Sequence, residues 1–173
     1  LSTAERHRLT DYEYSMSAFN IYHGLDEGFN PADYGLGHWN IWYYPTGDPN
    51  QQYEQLLQGN LKHPWIFLSS PTPKSSAPGI APARHHVLEV ATVCSYQPFK
   101  THKETNAKAY KEKKRETYQL VMESVRDLIP DVDKYIRMKI YGTPTTSEHF
   151  LGQPKGNIYG ANLIPKQVGL NRI

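Results

Sequence analysis

Short runs of apolar and aromatic residues, separated by proline- and glycine-rich turns, recur along most of the chain. Runs with a period of two that are bounded by such turns are typical of β-strands. Residues 65–69 are almost wholly apolar, and residues 86–96 form the longest such run, which favours buried strands. The pattern predicts strands at residues 14–22, 39–44, 65–69, 86–96 and 136–140.

Two of these strands carry more specific expectations. Gly24 is expected to end the first strand, because glycine favours a turn at that point. In the last strand, Ile136, Met138 and Ile140 occupy alternate positions. Residues at alternate positions share one face of a strand, so we expect this face to be buried.

A long helix is predicted over residues 101–128. Thr101 and Glu104 have the spacing of a capping box, and Ile129 is disfavoured in a helix because a proline follows it. Its apolar positions recur at helical spacings and predict one buried face. They are Tyr110, Thr117, Val121, Val125 and Leu128.

Two shorter helices are predicted from capping residues and prolines. Asp48 can cap a helix that begins at Pro49 and stops before Gly59. Thr143 can cap a second one, running from Pro144 to a stop at Gly152. Strands without regular alternation with helices indicate an α+β domain. We expect a mixed or antiparallel sheet covered by one long helix and one or two short helices.

Composition excludes several classes of protein. The chain has 173 residues, a mean hydropathy of -0.67 and no long apolar run, which fits one domain without a transmembrane helix. Its 19 basic and 17 acidic side chains are too balanced to indicate a nucleic-acid partner. The first half of the long helix is rich in lysine. A solvated face explains this best, and peripheral contact with a membrane surface stays open as the alternative.

Candidate chemistry in the chain itself is sparse. Cys94 lies in an apolar run, so we expect a buried structural thiol and not a nucleophile. His85 and His86 are adjacent and would point to opposite faces of a strand, and the other histidines are scattered. We therefore expect no metal site. The G-x-S-x-G motif of serine hydrolases is also absent.

Four segments, in order, resemble one family of flavoenzymes. The sequence G-T-P-T-T-S-E-H-F-L-G at residues 142–152 is followed by G-N-I-Y-G at residues 156–160. S-M-S-A-F-N-I-Y-H-G-L-D, W-I-F-L-S-S-P-T and L-I-P-D-V begin at Ser15, Trp65 and Leu128. Together they resemble FAD-dependent oxidoreductases of the phytoene desaturase, carotenoid isomerase and retinol saturase group.

The resemblance implies an enzyme that uses FAD to desaturate, saturate or isomerise a long apolar polyene, such as a carotenoid or retinoid. Such enzymes hold FAD with a G-x-G-x-x-G turn and a later G-D segment, and this chain contains neither. We therefore expect residues 1–173 to be a single partial domain that supplies the substrate-binding sheet of a larger enzyme. We expect the chain alone to be inactive and to bind no FAD. A cytoplasmic location, or one peripheral to a membrane, is expected.

The family motif also implies site residues. Tyr159 and Gly160 of N-I-Y-G are expected beside the flavin or the reacting double bond, although an ordinary turn explains them equally well. Phe19, Trp42, Tyr43 and Tyr159 are expected to contact the polyene, because aromatic strands offer a large apolar surface. Exposing that surface would make the chain self-associate. The alternative is a free-standing module that binds an apolar ligand or another protein without catalysis.

Overall fold

An antiparallel sheet forms the centre of the structure. The computed structural model describes residue 3 and residues 11–169. Within these residues the sheet has five strands in the order β2-β3-β4-β1-β5. The strands are β1 (Ser17–Leu25), β2 (Ile41–Tyr43), β3 (Ile66–Ser69), β4 (His86–Cys94) and β5 (Ile136–Gly142). The predicted α+β class is confirmed, and the sheet is of the antiparallel kind.

Four α-helices accompany this sheet in the described part of the chain. They are α1 (Pro49–Leu57), α2 (Gln97–Thr105), α3 (Ala107–Leu128) and α4 (Pro144–Leu151). Asp48 caps α1 by accepting from two backbone N–H groups, as predicted. Thr143 caps α4 in a capping box, and Gly152 ends α4 in the left-handed conformation, also as predicted.

The prediction of one helix that starts at Thr101 is wrong. Thr101 lies inside α2, which begins earlier at Gln97. The chain then breaks at Asn106, whose extended backbone (φ -162°, ψ 123°) cannot continue a helix. The Asn106 side chain accepts from the N–H groups of Lys108 and Ala109, so it caps α3. Asparagine is among the strongest N-caps, and here its signal outweighs the threonine–glutamate spacing.

Gly24 does not end β1, which is the second correction. β1 continues to Leu25, and Gly24 pairs with Val87 of β4 and Met138 of β5. A Cβ added at Gly24 would lie 3.3 Å from the Met138 Cβ. Glycine at this position therefore allows β1 and β5 to approach closely, and it does not form a turn.

The expected burial of β5 is wrong for two of the three residues, since only Ile136 is half-buried against the core. Met138 and Ile140 are 56% and 58% exposed. The opposite face of the strand lies on the side of the core, where the half-buried Tyr141 stacks on Phe19 and the exposed Lys139 places its ammonium over the Tyr118 ring. Tyr141 is amphipathic, so a pattern of apolar positions does not reveal which side of β5 faces the core.

Helix α3 covers one face of the sheet and closes the core. Val121, Met122 and Val125 of α3 have no exposed surface. They belong to the same core cluster as Phe19 and Ile21 of β1. Polar contacts fix the helix against the edge of the sheet, since Ser124 Oγ donates to the Pro64 carbonyl and Tyr43 Oη donates to Asp127.

A buried histidine lies in this core. His23 of β1 is 1% exposed, and its Nε2 lies 3.2 Å from the Tyr118 hydroxyl. Its Nδ1 has no hydrogen-bond partner among the described residues. Burial, together with the positive charge of Lys139, lowers the pKa of His23 to about 4. The ring is therefore neutral in the folded protein near neutral pH.

The segment after α4 packs tightly against the start of that helix. Gly156 is buried in the left-handed conformation (φ +60°). A Cβ at this position would overlap the backbone carbonyl of Pro144. Four residues further on, Gly160 has a similar φ of +72°, but a Cβ there would meet nothing within 4 Å. The two glycines thus share a conformation and differ in the space around them.

We expect Asn106→Ala to lower the free energy of unfolding by about 1 kcal/mol, because it removes the N-cap of α3. Thr101→Ala is the matched control. It changes an exposed residue inside α2, so its effect is expected to stay within about 0.5 kcal/mol. Urea titration of both variants measures the difference. A larger loss for Thr101→Ala would contradict the helix boundary described above.

His23 predicts a loss of stability in mild acid. Its folded pKa of about 4 lies below the unfolded value of about 6.5, so the unfolded chain binds more protons between these values. Stability from this group is complete above about pH 6.5 and is lost as pH falls towards 4. Between pH 7 and 4.5 the loss is roughly 2–3 kcal/mol. The free energy of unfolding of His23→Gln should depend less on pH by this amount. An unchanged pH dependence would contradict it.

Gly156→Ala should destabilise the protein by more than about 3 kcal/mol, because left-handed strain adds to steric overlap with the Pro144 carbonyl. Gly160→Ala is the control, since it meets only the conformational cost of about 1 kcal/mol. Thermal and urea unfolding of the two variants compares them directly. Equal effects would show that space around Gly156 is not the limiting factor.

Candidate functional site

The face of the sheet opposite α3 is left open. Neighbouring residues of a strand point to opposite faces, so Tyr22, Trp42, Met138 and Ile140 lie on the side away from Phe19 and the core. These four side chains are between 43% and 58% exposed. We call this side the open face. An apolar sheet surface of this kind is typical of a binding surface.

A groove lies at one end of the open face. It is formed between the aromatic side chains of β2 and β3 and the segment after α4, residues 158–163. Its volume is about 340 Å³. That is near the lower end of the usual range for sites that bind small molecules, about 300–1,000 Å³. We call it the aromatic groove. It is lined mainly by Met16, Trp42, Tyr44, Tyr53, Trp65, Val93, Ile158, Tyr159 and Leu163.

Aromatic rings form one wall of the groove. Trp42 packs against Trp65, with 5.4 Å between ring centroids, and against Phe67 at 5.0 Å. Tyr44 lies 5.9 Å from Trp65. Pairing of β2 with β3 places Trp42 directly opposite Phe67. The wall is therefore built by cross-strand aromatic contacts, which hold the rings in place.

The other wall is the segment that carries Tyr159. The Tyr159 N–H donates to Ser15 Oγ at 2.9 Å, and the Ser15 N–H donates to the Gly160 carbonyl at 2.9 Å. Inside the turn, the Asn157 side chain accepts from the Gly160 N–H at 2.7 Å. Asn157 is itself 2% exposed. The backbone is thus fixed on both sides of Tyr159, while its side chain stays 75% exposed at the rim.

This arrangement suits an apolar ligand. Ring and aliphatic carbon atoms dominate the lining, and its polar side-chain groups are few: Ser15, Asn162, the hydroxyls of three tyrosines and the indole N–H groups of two tryptophans. Burying apolar ligand surface in such a site stabilises the complex by roughly 25 cal/mol per Å². The lining contains no lysine, arginine, aspartate or glutamate, so nothing in it favours a charged ligand.

The described helices do not offer the usual site for the pyrophosphate of FAD. Its pyrophosphate is usually held by unpaired N–H groups at a helix N-terminus. In the described part of the chain, the first turns of α1, α3 and α4 are occupied by their own caps, Asp48, Asn106 and Thr143. Helix α2 has Pro98 in its first turn, which offers no N–H.

The structure brings together two of the residues expected from the sequence. Trp42 and Tyr159 both line the aromatic groove. Phe19 has no exposed surface and packs between Phe99 and Tyr141 on the α3 side. Tyr43 also points to that side and bonds Asp127. Phe19 and Tyr43 therefore lie away from the groove, and we leave them out of the proposed site.

Gly160 lies next to the groove without lining it. Its φ of +72° allows the turn that presents Tyr159. Space beside it is open, since a Cβ would meet no atom within 4 Å. The flavin contact expected for Tyr159 and Gly160 stays a prediction.

Several lining residues were not expected from the sequence. Trp65 and Tyr44 join the groove because β2 and β3 pair, and Leu163 joins it because residues 157–161 pair with residues 14–17. The alternation within β3 does carry one usable signal, since Trp65 and Phe67 fall on the same side of the strand. Which strand lies beside it cannot be seen in that pattern.

Other groups weighed from the sequence lie elsewhere. Cys94 is 1% exposed, and burial raises the pKa of its thiol, so the prediction of a buried structural cysteine is confirmed. Among residues 11–169, no group of three or more histidine, cysteine, aspartate or glutamate side chains is placed so that it could hold a metal ion. In the same part of the chain, none of the helices is long and apolar enough to cross a membrane.

Comparison with known proteins gives one informative relative. No family model matches the chain. The chain is 29% identical over 165 residues to a protein of Danio rerio named all-trans-retinol 13,14-reductase. The alignment covers 90% of this chain but only 27% of the relative, so the chain spans about a quarter of that protein's length. The chain is therefore similar to one part of an oxidoreductase, which is consistent with the flavoenzyme group that its motifs resemble.

Proposed function

We propose that this chain is the substrate-binding part of a larger FAD-dependent oxidoreductase that acts on a long apolar polyene of the retinoid type. The aromatic groove is the observation that carries the proposal. A polyene hydrocarbon has almost no group that can form hydrogen bonds, so its affinity must come from apolar contact. The groove offers that contact, and the relative from Danio rerio is named for a reaction of a retinoid.

The residues of this chain bind and orient the substrate. The tilted rings of Trp42, Trp65 and Tyr44 provide an aromatic wall for a conjugated chain, and the exposed Tyr159 side chain lies at the rim of the groove, where it would contact the ligand. Aromatic faces and an extended π-system stack favourably in offset arrangements. Redox chemistry is assigned to a flavin, as in enzymes where the protein supplies binding and orientation. Segments outside this chain would hold that flavin.

Because the open face leaves a bound ligand partly exposed, a second protein surface is needed to cover it. A groove that is open on one side buries only part of a ligand, whereas established sites bury about 70–90% of the ligand surface. The remaining cover would come from the rest of the larger enzyme. The exposed side chains of Tyr159 and Leu163, at 75% and 83%, lie where such a cover would meet this chain.

The proposal is tested in the complete enzyme that contains this chain, supplied with all-trans-retinol and a reductant. Tyr159→Ala and Trp42→Ala should each lower turnover by at least about tenfold, since one lost apolar contact of this size is worth about 1.5–3 kcal/mol. Chromatography of the retinoid products measures turnover, and thermal unfolding checks that the variants remain folded.

Trp39→Ala is the matched control. Trp39 is 74% exposed and precedes the same strand, but it does not line the groove. This variant should retain the turnover of the wild type. If Tyr159→Ala and Trp42→Ala also retained it, the groove would not be the substrate site.

A further inference from the structure

A carboxylate lies in the middle of the open face. Glu89 belongs to β4, the central strand, and points away from Leu88 and Val90, which are buried in the core. Strand pairing places Glu89 directly between Ser69 of β3 and Tyr22 of β1. Side chains at such positions have Cβ atoms about 5 Å apart. Glu89 and Tyr22 are therefore immediate neighbours on a largely apolar surface.

A lysine completes the cluster. Lys74 follows β3, and its Nζ donates to Asn40 Oδ1 at 2.6 Å and to Ser69 Oγ at 3.2 Å. Both acceptors are neutral, so one donor of the ammonium group stays available. The negative charge of Glu89 opposes the lowering of the Lys74 pKa that burial causes, which agrees with the two groups being close. We call Tyr22, Lys74 and Glu89 the polar cluster.

Two members of this cluster lack partners of their own. Among the described residues, neither the Glu89 carboxylate nor the Tyr22 hydroxyl forms a hydrogen bond or an ion pair. Tyr22 is 43% exposed and Glu89 is half-buried, so solvent can satisfy both in the free protein. A ligand that covers the open face would remove that solvent. It must then supply hydrogen-bonding groups itself, because an unpaired buried carboxylate is costly.

We propose that the polar cluster receives the hydroxyl end of a polyene alcohol whose apolar part lies on the open face towards the aromatic groove. This inference rests on the proposed function. Glu89 accepts a hydrogen bond from the hydroxyl, and Tyr22 or Lys74 donates one to the hydroxyl oxygen. A hydroxyl group is both donor and acceptor, so it matches the cluster on both counts.

The span between the two sites fits a retinoid-sized molecule. Val93 of the groove and Glu89 of the cluster are four residues apart on β4, which corresponds to about 13 Å along the strand. Ala91 lies between them on the same face, opposite Phe67. Its small side chain leaves space for a flat chain beside the aromatic wall.

The charges of the cluster also affect whether an alcohol or a carboxylic acid is preferred at this end. Glu89 would repel a carboxylate, whereas Lys74 would attract it, so the two charges decide the preference between them. Removing the negative charge leaves a cationic cluster that favours acids. Removing the positive charge leaves an anionic cluster that rejects them and still accepts a hydrogen bond from an alcohol.

The test measures binding of all-trans-retinol and all-trans-retinoic acid to the complete enzyme that contains this chain, through quenching of its tryptophan fluorescence. Glu89→Gln should shift the ratio of the two dissociation constants towards retinoic acid by about tenfold, the size expected for one charge-assisted contact. Lys74→Met should shift the ratio the opposite way. Glu116→Gln makes the same chemical change on an exposed site of α3, across the sheet, and should leave the ratio unchanged.

Each outcome separates the two proposals. Opposite shifts for Glu89→Gln and Lys74→Met support the polar cluster as the hydroxyl site, since a merely structural role would weaken both ligands alike. If both retinoids bind but Glu89→Gln leaves the ratio of their dissociation constants as in the wild type, the cluster is not the hydroxyl site. The proposal that the aromatic groove binds the substrate would not be affected. If neither retinoid binds the wild type, the proposed substrate surface itself is wrong.

Discussion

Burial of one sheet face against α3 is the constraint on which the rest of the structure depends. The side chains of Val121, Met122 and Val125 fill the space against β1 and β4. Because side chains alternate along a strand, fixing this face also fixes which residues stand on the other. The core contacts of the neighbouring residues in each strand therefore place Trp42, Tyr22 and Glu89 on the open face.

The strength of this constraint explains why polar residues occur within β1 and β4. A one-residue slip of β1 would exchange His23 with Tyr22 and move apolar residues such as Ile21 into solvent. Pairing of β1 on both sides, with β4 and with β5, opposes such a slip. The chain can therefore carry a carboxylate on its central strand without losing its register.

Sequence patterns predicted the elements better than their faces. The capped helices at Asp48 and Thr143 and the main strands followed from local signals, which act within a few residues. The break at Asn106 was missed because two capping signals, Thr101 and Asn106, lie only five residues apart. The face of β5 that turns to the core was missed because Tyr141 packs there through its ring, while the other residue on that side, Lys139, is charged and exposed. The groove needs contacts across the sheet, such as Trp42 with Phe67, which depend on strand order.

The hydrogen bonds that hold the Tyr159 segment have a consequence for affinity. Ser15 and Asn157 fix the backbone of this wall before any ligand arrives. Ordering a mobile loop on binding costs roughly 0.5–1.5 kcal/mol for each side chain that becomes immobile. A backbone that is already ordered avoids the part of this cost that belongs to the loop. An apolar ligand of the kind proposed would therefore lose less of its binding free energy to ordering the protein.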